Sequence, residues 1–171
     1  MYENHANEQY FFDADTLGRL SPVVERFDRP CLLCAPMLGR HLHQQGVRAA
    51  VLDIDDRFAD LPGYRRWDLY RPEAVEDDFD LILCDPPFFN VSLSQLFKAI
   101  RLLAKFDLTK PVAIGYLARR ESALLGTFAP FGLTPSAFKL NYQTVQDQTG
   151  RNDIRLYTNF DLPTNEQGGP S

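Results

Sequence analysis

Four consecutive residues, Asp85-Pro86-Pro87-Phe88, have the side chains and the backbone rigidity needed to hold an amine for reaction. The lone pair of an exocyclic amine such as that of adenine is delocalised into its ring, and two fixed acceptors can hold its hydrogens and favour a pyramidal nitrogen. Asp85 would supply a carboxylate and Pro86 a carbonyl whose direction the prolines fix. Both would stabilise charge growing on nitrogen, with Phe88 as an aromatic wall. We therefore predict that Asp85, Pro86, Pro87 and Phe88 are catalytic; the alternative is a plain Pro-Pro exit turn.

Further carboxylates follow two other predicted strands, at the edge where ligands bind in open α/β sheets. Asp53 stands about 20 residues beyond the first predicted strand, as expected of a residue that accepts both hydroxyls of a ribose. Asp55 is the alternative if the second predicted strand ends two residues later, and Asp68 could accept from the adenine amine of a bound cofactor. Each of them could instead cap the helix that follows, because Asp is a favoured N-cap.

A third segment at this edge is the loop Ala35-Pro36-Met37-Leu38-Gly39, after the first predicted strand. We expect Ala35, Pro36 and Gly39 to bind the cofactor. Gly39 is the loop's single glycine, whereas nucleotide-binding loops ordinarily use glycine for close backbone approach. Composition alone would therefore not have suggested a nucleotide site here.

These residues need a scaffold, and the hydrophobic pattern predicts one of the α/β class. Short apolar runs alternate with segments of helical spacing, as in βαβ units around a mostly parallel sheet. The C-terminal part differs, because two apolar segments around a polar turn predict an antiparallel hairpin. The predicted helices span 14–26 (capped by Asp13), 38–45 (ended by Gly46), 92–104 and 119–128. The predicted strands span 31–35, 49–53, 65–68, 79–84, 111–117, 135–144 and 153–160, with a turn at 146–151.

Length and composition indicate one domain. The 171 residues, 44% of them hydrophobic and 24% charged, are typical of an ordinary soluble globular protein. We expect a folded domain over 9–161 and flexible tails over 1–8 and 162–171, because both ends are polar and lack periodicity. There is no signal peptide pattern and no run of about 20 apolar residues for a membrane helix. Three cysteines do not suit a secreted disulfide framework, so we expect a cytoplasmic protein.

The net charge and the possible metal ligands bear on two classes of function, nucleic-acid binding and metal binding. A net charge of -5 weighs against nucleic acid as a partner, because grip on a phosphate backbone usually needs a basic excess. Cys31 and Cys34 have Cys-x-x-Cys spacing inside an apolar strand, without a second ligand pair, so we interpret them as core thiols. His41 and His43 are two residues apart and cannot share a helical face. We predict no metal site.

Taken together, several motifs resemble one family, the small proteins called probable N6-adenine methyltransferases, which include the lysine methyltransferase acting on eukaryotic elongation factor 1-alpha. The resemblance runs over 9–161. The pieces that carry it are Gln9-Tyr10-Phe11-Phe12, Cys34-Ala35-Pro36, Asp53-Ile54-Asp55-Asp56-Arg57-Phe58, Asp85-Pro86-Pro87-Phe88 and Arg155-Leu156-Tyr157-Thr158-Asn159-Phe160-Asp161.

The resemblance implies a class I methyltransferase (Rossmann-like) fold with a mostly parallel seven-stranded sheet, and S-adenosylmethionine (SAM) as the cofactor. The loop that begins at Ala35 would then lie under the methionine moiety. The string Tyr10-Phe11-Phe12 could close over the acceptor or anchor the N-terminus to the domain. Residues 89–92 and the C-terminal hairpin depart from the eukaryotic relatives, and both are expected to border the acceptor. The resemblance is therefore a better guide to the methyl donor and the reaction class than to the methyl acceptor.

Three functions follow, in order of preference. The first is a SAM-dependent N-methyltransferase acting on lysine in a protein, favoured by the acidic charge and the absence of an added nucleic-acid-reading domain. The second is an adenine-N6 methyltransferase acting on DNA or RNA. The third is a catalytically silent subunit that binds SAM or a partner protein. The sequence does not predict an oligomeric state.

Overall fold

The computed structural model describes residues 1–144 and 153–163, and a seven-stranded sheet forms its centre. The strands are β1 (Pro30–Leu33), β2 (Ala50–Asp53), β3 (Tyr64–Arg66), β4 (Leu81–Cys84), β5 (Val112–Leu117), β6 (Lys139–Leu140) and β7 (Ile154–Thr158). They lie in the order β3-β2-β1-β4-β5-β7-β6. The first five pair in parallel, and β7 runs antiparallel to both β5 and β6. The predicted fold class is confirmed.

The order of the strands decides where a ligand can bind. From β1 the chain continues to β2 on one side, whereas β4 pairs with β1 on the other side. A crevice opens at such a reversal, at the carboxyl ends of the strands. Strands β1, β4 and β5 are buried throughout, as strands covered on both faces are, and this explains their continuous apolar runs.

Within the described residues, four α-helices connect and cover the sheet: α1 (Ala14–Glu25), α2 (Pro36–Gln44), α3 (Leu93–Leu103) and α4 (Glu121–Thr127). Asp13 caps α1 as predicted, since its Oδ1 accepts a hydrogen bond from the Thr16 amide at 2.8 Å. Gly46 follows α2 with a φ of 76°, a conformation that suits glycine. Leu20, Leu38, Ile100 and Leu124 are among the helical side chains buried against the sheet.

Several predicted boundaries differ from the structure, and three of them do so for a clear local reason. Helix α2 begins at Pro36, two residues before the predicted start, because proline is well placed in the first turn of a helix. Strand β1 ends at Leu33, because Cys34 has a φ of 58° and leaves the extended conformation. The last predicted helix is divided into a 3-10 turn, Ala118–Arg120, followed by α4.

The C-terminal hairpin is antiparallel as predicted, but its first strand is much shorter than the predicted 135–144. After Leu140 the chain leaves β7 and meets the N-terminal segment, where Tyr142 forms an isolated antiparallel bridge with Phe12. The Gln143 amide donates to the Phe11 carbonyl at 2.9 Å. The predicted turn at 146–151 lies outside the described residues.

The described part of the chain has neither a membrane-spanning helix nor a group of metal ligands. Among residues 1–144 and 153–163, no helix combines the length and the apolar character needed to cross a membrane. Over the same two ranges, no three His, Cys, Asp or Glu side chains are grouped so that they could hold a metal ion.

Candidate active site

A cavity of about 280 Å³ lies at the carboxyl ends of the parallel strands. The loops after β1, β2, β3 and β4 contribute residues 34–37, 53–57, 67–70, 85, 87 and 88 to its wall. Pro86 is buried and does not line the cavity. Asn4, residues 7–12, Asn90 and Tyr142 complete the described wall. The predicted catalytic and cofactor-binding residues therefore meet in one place, apart from Gly39 and Pro86.

Asp85 follows β4 and faces an unexpected partner. Its Oδ1 accepts a hydrogen bond of 2.6 Å from the Tyr142 hydroxyl, and its amide donates to the Leu33 carbonyl at 3.1 Å. Burial raises the pKa of Asp85 to about 8; the Tyr142 hydrogen bond lowers it, and the charge of Asp53 raises it. The carboxyl group therefore exchanges its proton near neutral pH, which is where a group that handles a substrate proton works best.

Gly115 on β5 lies beside this carboxylate and leaves room for the Leu140 side chain. A Cβ at Gly115 would lie 3.4 Å from Asp85 Oδ1 and only 2.7 Å from Leu140 Cδ1. A glycine inside a buried strand often marks a place where another group approaches closely. Gly115 thus belongs to the surroundings of the site.

Aromatic rings line the cavity on the Asp85 side. Phe88 packs edge-on against Tyr116 and Tyr142, with ring centroids 5.9 and 6.5 Å apart, and Phe12 lies 5.2 Å from Tyr142. The Phe88 carbonyl accepts a hydrogen bond of 3.0 Å from Arg120 Nη1. The turn after Asp85 is therefore fixed by packing and by hydrogen bonding.

Asp53, the last residue of β2, is a nearly buried carboxylate, with 8% of the residue exposed. Its Oδ1 accepts from the Asp55 amide at 2.9 Å, and no Lys or Arg among the described residues forms an ion pair with it. Burial raises the pKa of Asp53 to about 6, whereas the backbone hydrogen bond from Asp55 lowers it. A buried carboxylate without a cation is suited to neutral donors such as hydroxyl groups.

Asp55 is already occupied by protein groups. Its Oδ2 accepts from Gln9 Nε2 at 2.7 Å and from Arg57 Nη2 at 2.8 Å. The hydrogen bond to Arg57 lowers the pKa of Asp55 to about 2, against a smaller effect of burial. Asp53 is thus better placed than Asp55 to receive a ligand.

The loop after β1 reaches the cavity through Cys34, Ala35, Pro36 and Met37. Cys34 has the left-handed backbone that glycine usually adopts, so the chain makes the turn without glycine. Gly39 lies away from the cavity, on α2, where a Cβ would come 2.4 Å from Val51 Cγ2. The structure thus gives Gly39 a helix–strand packing contact and leaves its predicted cofactor role unsupported.

The other predicted residues are placed as follows. Asp68 lines the cavity next to Trp67, and its Oδ1 accepts from the Tyr70 amide at 2.9 Å. Cys31 is a core thiol as predicted, whereas Cys34 is half-buried and borders the cavity.

The N-terminal segment, residues 2–12, crosses the cavity. Gln9 is held from both sides, because it donates to Asp55 and its Oε1 accepts from Arg57 Nη2 at 2.9 Å. Tyr10, Phe11 and Phe12 line the cavity, and Phe11 also packs on Phe58 with a centroid distance of 6.1 Å. The aromatic string is therefore both a wall and an anchor. The predicted flexibility of 1–8 concerns motion and stays a prediction.

The sequence alone did not predict three residues of the described site: Glu8, Gly115 and Tyr142. Tyr142 is 57 positions from Asp85, and Glu8 is 81 positions from Phe89, whose amide it binds. No local pattern links such positions. A glycine inside the strongest apolar run, at Gly115, was the one available signal.

Comparison with known proteins agrees with this geometry. Residues 3–162 match the family described as probable N6-adenine methyltransferase. No curated protein matches the sequence.

Solved structures with the same fold share little sequence with this chain. A TehB-like SAM-dependent methyltransferase from Corynebacterium glutamicum has a TM-score of 0.58 and 18% identity, over 84% of this chain and 85% of that one. The N-methyltransferase NodS from Bradyrhizobium japonicum has a TM-score of 0.52 and 16% identity, over 84% and 91%. Magnesium protoporphyrin IX methyltransferase from Synechocystis, with bound SAM, has a TM-score of 0.56 and 12% identity, over 84% and 77%. At such identities the likeness establishes the fold.

Proposed function

The chain belongs to the probable N6-adenine methyltransferase family, and from this premise we propose that it methylates the side-chain amine of lysine in a protein. The reaction class is SAM-dependent methyl transfer. The choice of acceptor is our proposal, and it is supported by the charge of the cavity.

The residues of the cavity fit SAM. Asp53, nearly buried and without a cationic partner among the described residues, would accept the ribose hydroxyls. Ala35 and Pro36, at the start of α2, would border the methionine moiety, and Asp68 could accept from the adenine amine. Bound SAM would supply a methyl group carried on a sulfonium.

The observation that carries the proposal is the excess of carboxylates around the cavity. The part of its wall that the structure describes contains six of them: Glu8, Asp53, Asp55, Asp56, Asp68 and Asp85. Arg57 is the single basic side chain among the described wall residues, and Asp55, Gln9 and the Tyr2 carbonyl already occupy its guanidinium. Asp55 and Asp56 are ion-paired with Arg57 and Arg66. The other four carboxylates, in their ionised forms, attract an ammonium group and repel the phosphates beside a nucleic-acid base.

Asp85 has the properties that a lysine acceptor requires. A lysine ammonium has no lone pair and must lose a proton before it can react. Because the pKa of Asp85 is about 8, its ionised form can accept that proton, while Tyr142 holds the other carboxylate oxygen. The Pro86 carbonyl would then help to orient the amine, and Phe88 would pack along the lysine stem.

A second candidate, adenine in a nucleic acid, is favoured by one feature of the rim. Phe89 is 64% exposed, and the Arg119 guanidinium lies 5.7 Å from the centre of its ring. An exposed aromatic ring beside an arginine can stack on a base.

The third candidate is a catalytically silent subunit, and it was based on the glycine-poor loop. The cavity beside that loop and the turn made by Cys34 count against it.

The test is transfer of label from methyl-labelled SAM into an extract of the source cells, with Asp85→Ala as the control. Label that protease removes and nuclease leaves is the expected result. Label that nuclease alone removes would mean that the methyl acceptor is adenine and not lysine. No label above the control, with SAM still bound in calorimetry, would favour the silent subunit. We place the activity in the cytoplasm, in keeping with three free cysteine thiols.

A further inference from the structure

Glu8 stands where the N-terminal segment reaches the catalytic turn. It ends the 3-10 turn His5–Asn7 in a left-handed conformation, with φ 51° and ψ 33°, and its amide donates to the His5 carbonyl. Its Oε2 accepts a hydrogen bond of 3.1 Å from the Phe89 amide, one residue beyond Phe88. A residue other than glycine seldom adopts this conformation, so the surrounding structure holds the Glu8 backbone in place, and the Phe89 amide holds its side chain.

The other carboxylate oxygen of Glu8 has no partner. Oε1 is buried, and no described residue donates a hydrogen bond to it. Glu8 also lines the cavity that contains Asp85. Its charge reaches other residues of this region, since burial and then Glu8 raise the pKa of Tyr70. A buried acceptor without a donor is costly, and such groups in native proteins call for an explanation.

We propose that Glu8 is a substrate-binding residue whose free Oε1 accepts an N–H of the incoming ammonium group and thereby selects a cationic acceptor. This inference rests on the proposed lysine specificity. An ammonium has three N–H donors, whereas an adenine amine has two. Asp85 and the Pro86 carbonyl suffice for two donors, so a third acceptor is useful for an ammonium.

The hydrogen bonds of the N-terminal segment support this role. Gln9, the next residue, is fixed between Asp55 and Arg57, and Glu3 Oε2 accepts from the Phe11 amide at 3.2 Å. Glu8 is thus anchored on both sides before any substrate arrives. An acceptor fixed in advance needs no reorganisation when it binds a charge.

The same segment offers a matched control. Glu3, like Glu8, has a buried Oε1 without a partner among the described residues, but it does not border the cavity. Glu3→Gln tests whether any loosening of the segment is sufficient to change binding. Glu8→Gln removes the charge and keeps a side-chain carbonyl that can still accept a hydrogen bond from the Phe89 amide.

The experiment is a titration of the full chain, saturated with S-adenosylhomocysteine, with n-butylammonium chloride as a mimic of the lysine side chain, followed by NMR. We expect Glu8→Gln to weaken binding about tenfold, as for loss of a charged hydrogen bond, and Glu3→Gln to bind like the wild type. Calorimetry should give the same SAM affinity for all three proteins.

Equal binding by Glu8→Gln and the wild type, or an equal loss in Glu3→Gln, would overturn the role of Glu8. So would a wild type that does not bind n-butylammonium but labels protein at lysine, an outcome that leaves the proposed function intact. If label appears in nucleic acid and n-butylammonium binding still depends on Glu8, the proposed lysine specificity is contradicted and the ammonium-binding role of Glu8 is supported.

Discussion

The Tyr142 hydroxyl donates a hydrogen bond of 2.6 Å to Oδ1 of Asp85, and this contact joins the C-terminal part of the chain to the catalytic turn. Tyr142 also bridges to Phe12, so the N-terminal segment and the end of the fold meet at Asp85. The hydrogen bond favours the ionised carboxylate, against the larger effect of burial on the pKa of Asp85. The pKa of this carboxyl, raised mainly by burial, is therefore lowered by a residue 57 positions away.

Tyr142→Phe should shift the pH profile of methyl transfer. Because the pKa of Asp85 is about 8 and the ionised form is active, the wild-type rate should rise with pH and level off above this value. Without the Tyr142 donor the pKa moves further up. We expect about a tenfold lower rate at pH 7, recovery at high pH and unchanged SAM affinity. A uniformly lower rate with an unmoved profile would mean that Tyr142 only packs.

Asp85→Asn should stabilise the fold at alkaline pH. The folded pKa of Asp85 is about 8, above the unfolded value of 3.8, so its contribution to stability is complete below the unfolded pKa and is lost as pH rises through 8. The neutral amide avoids this loss and can still accept from Tyr142. We expect Tm to rise by about 5 °C relative to wild type at pH 9 and hardly at pH 4. Thermal unfolding measures this; a lower Tm at pH 9 would contradict it.

SAM binding should depend on pH through Asp53. Burial raises the pKa of Asp53 to about 6, and only its charged form accepts both ribose hydroxyls. The SAM dissociation constant should therefore increase about tenfold for each pH unit below 6. Asp53→Asn should weaken binding and remove this dependence. Asp55→Asn is the control, and a larger effect of that variant in calorimetry would move the ribose role to Asp55.

Gly39→Ala should reduce stability rather than cofactor affinity. The added methyl group would lie 2.4 Å from Val51 Cγ2, so α2 or β2 must shift. Overpacking of this kind costs about 1–3 kcal/mol, measured by denaturant unfolding. Adding Val51→Ala should recover part of the loss, as a positive coupling in a double-mutant cycle. A large loss of SAM affinity with unchanged stability would restore the predicted cofactor role.

The positions of the strand-end carboxylates could be predicted because they follow from local patterns. Apolar runs that end at Asp53 and Asp85 identify strands, and parallel strands bring their carboxyl ends to one edge. The pairing of Asp55 with Arg57 was not predicted. Both residues also bind Gln9, which lies 46 positions from Asp55 in the sequence, and no local pattern predicts that contact.

The aromatic string illustrates the same limit. Its composition was compatible with a wall or an anchor, and only the placement of Phe11 against Phe58 and of Phe12 against Tyr142 shows that it is both. Likewise, nothing in the local sequence indicated that Cys34 would adopt a left-handed backbone, because that conformation is usually inferred from glycine.

The chemical identity of the labelled product tests the proposed lysine specificity most directly. Macromolecules from an extract labelled with the wild-type protein would be hydrolysed to amino acids and, in parallel, digested to nucleosides, with Asp85→Ala as the blank. We expect label that co-elutes with a methylated lysine and is absent from the blank. Label that co-elutes with N6-methyladenosine or its deoxy form would contradict it.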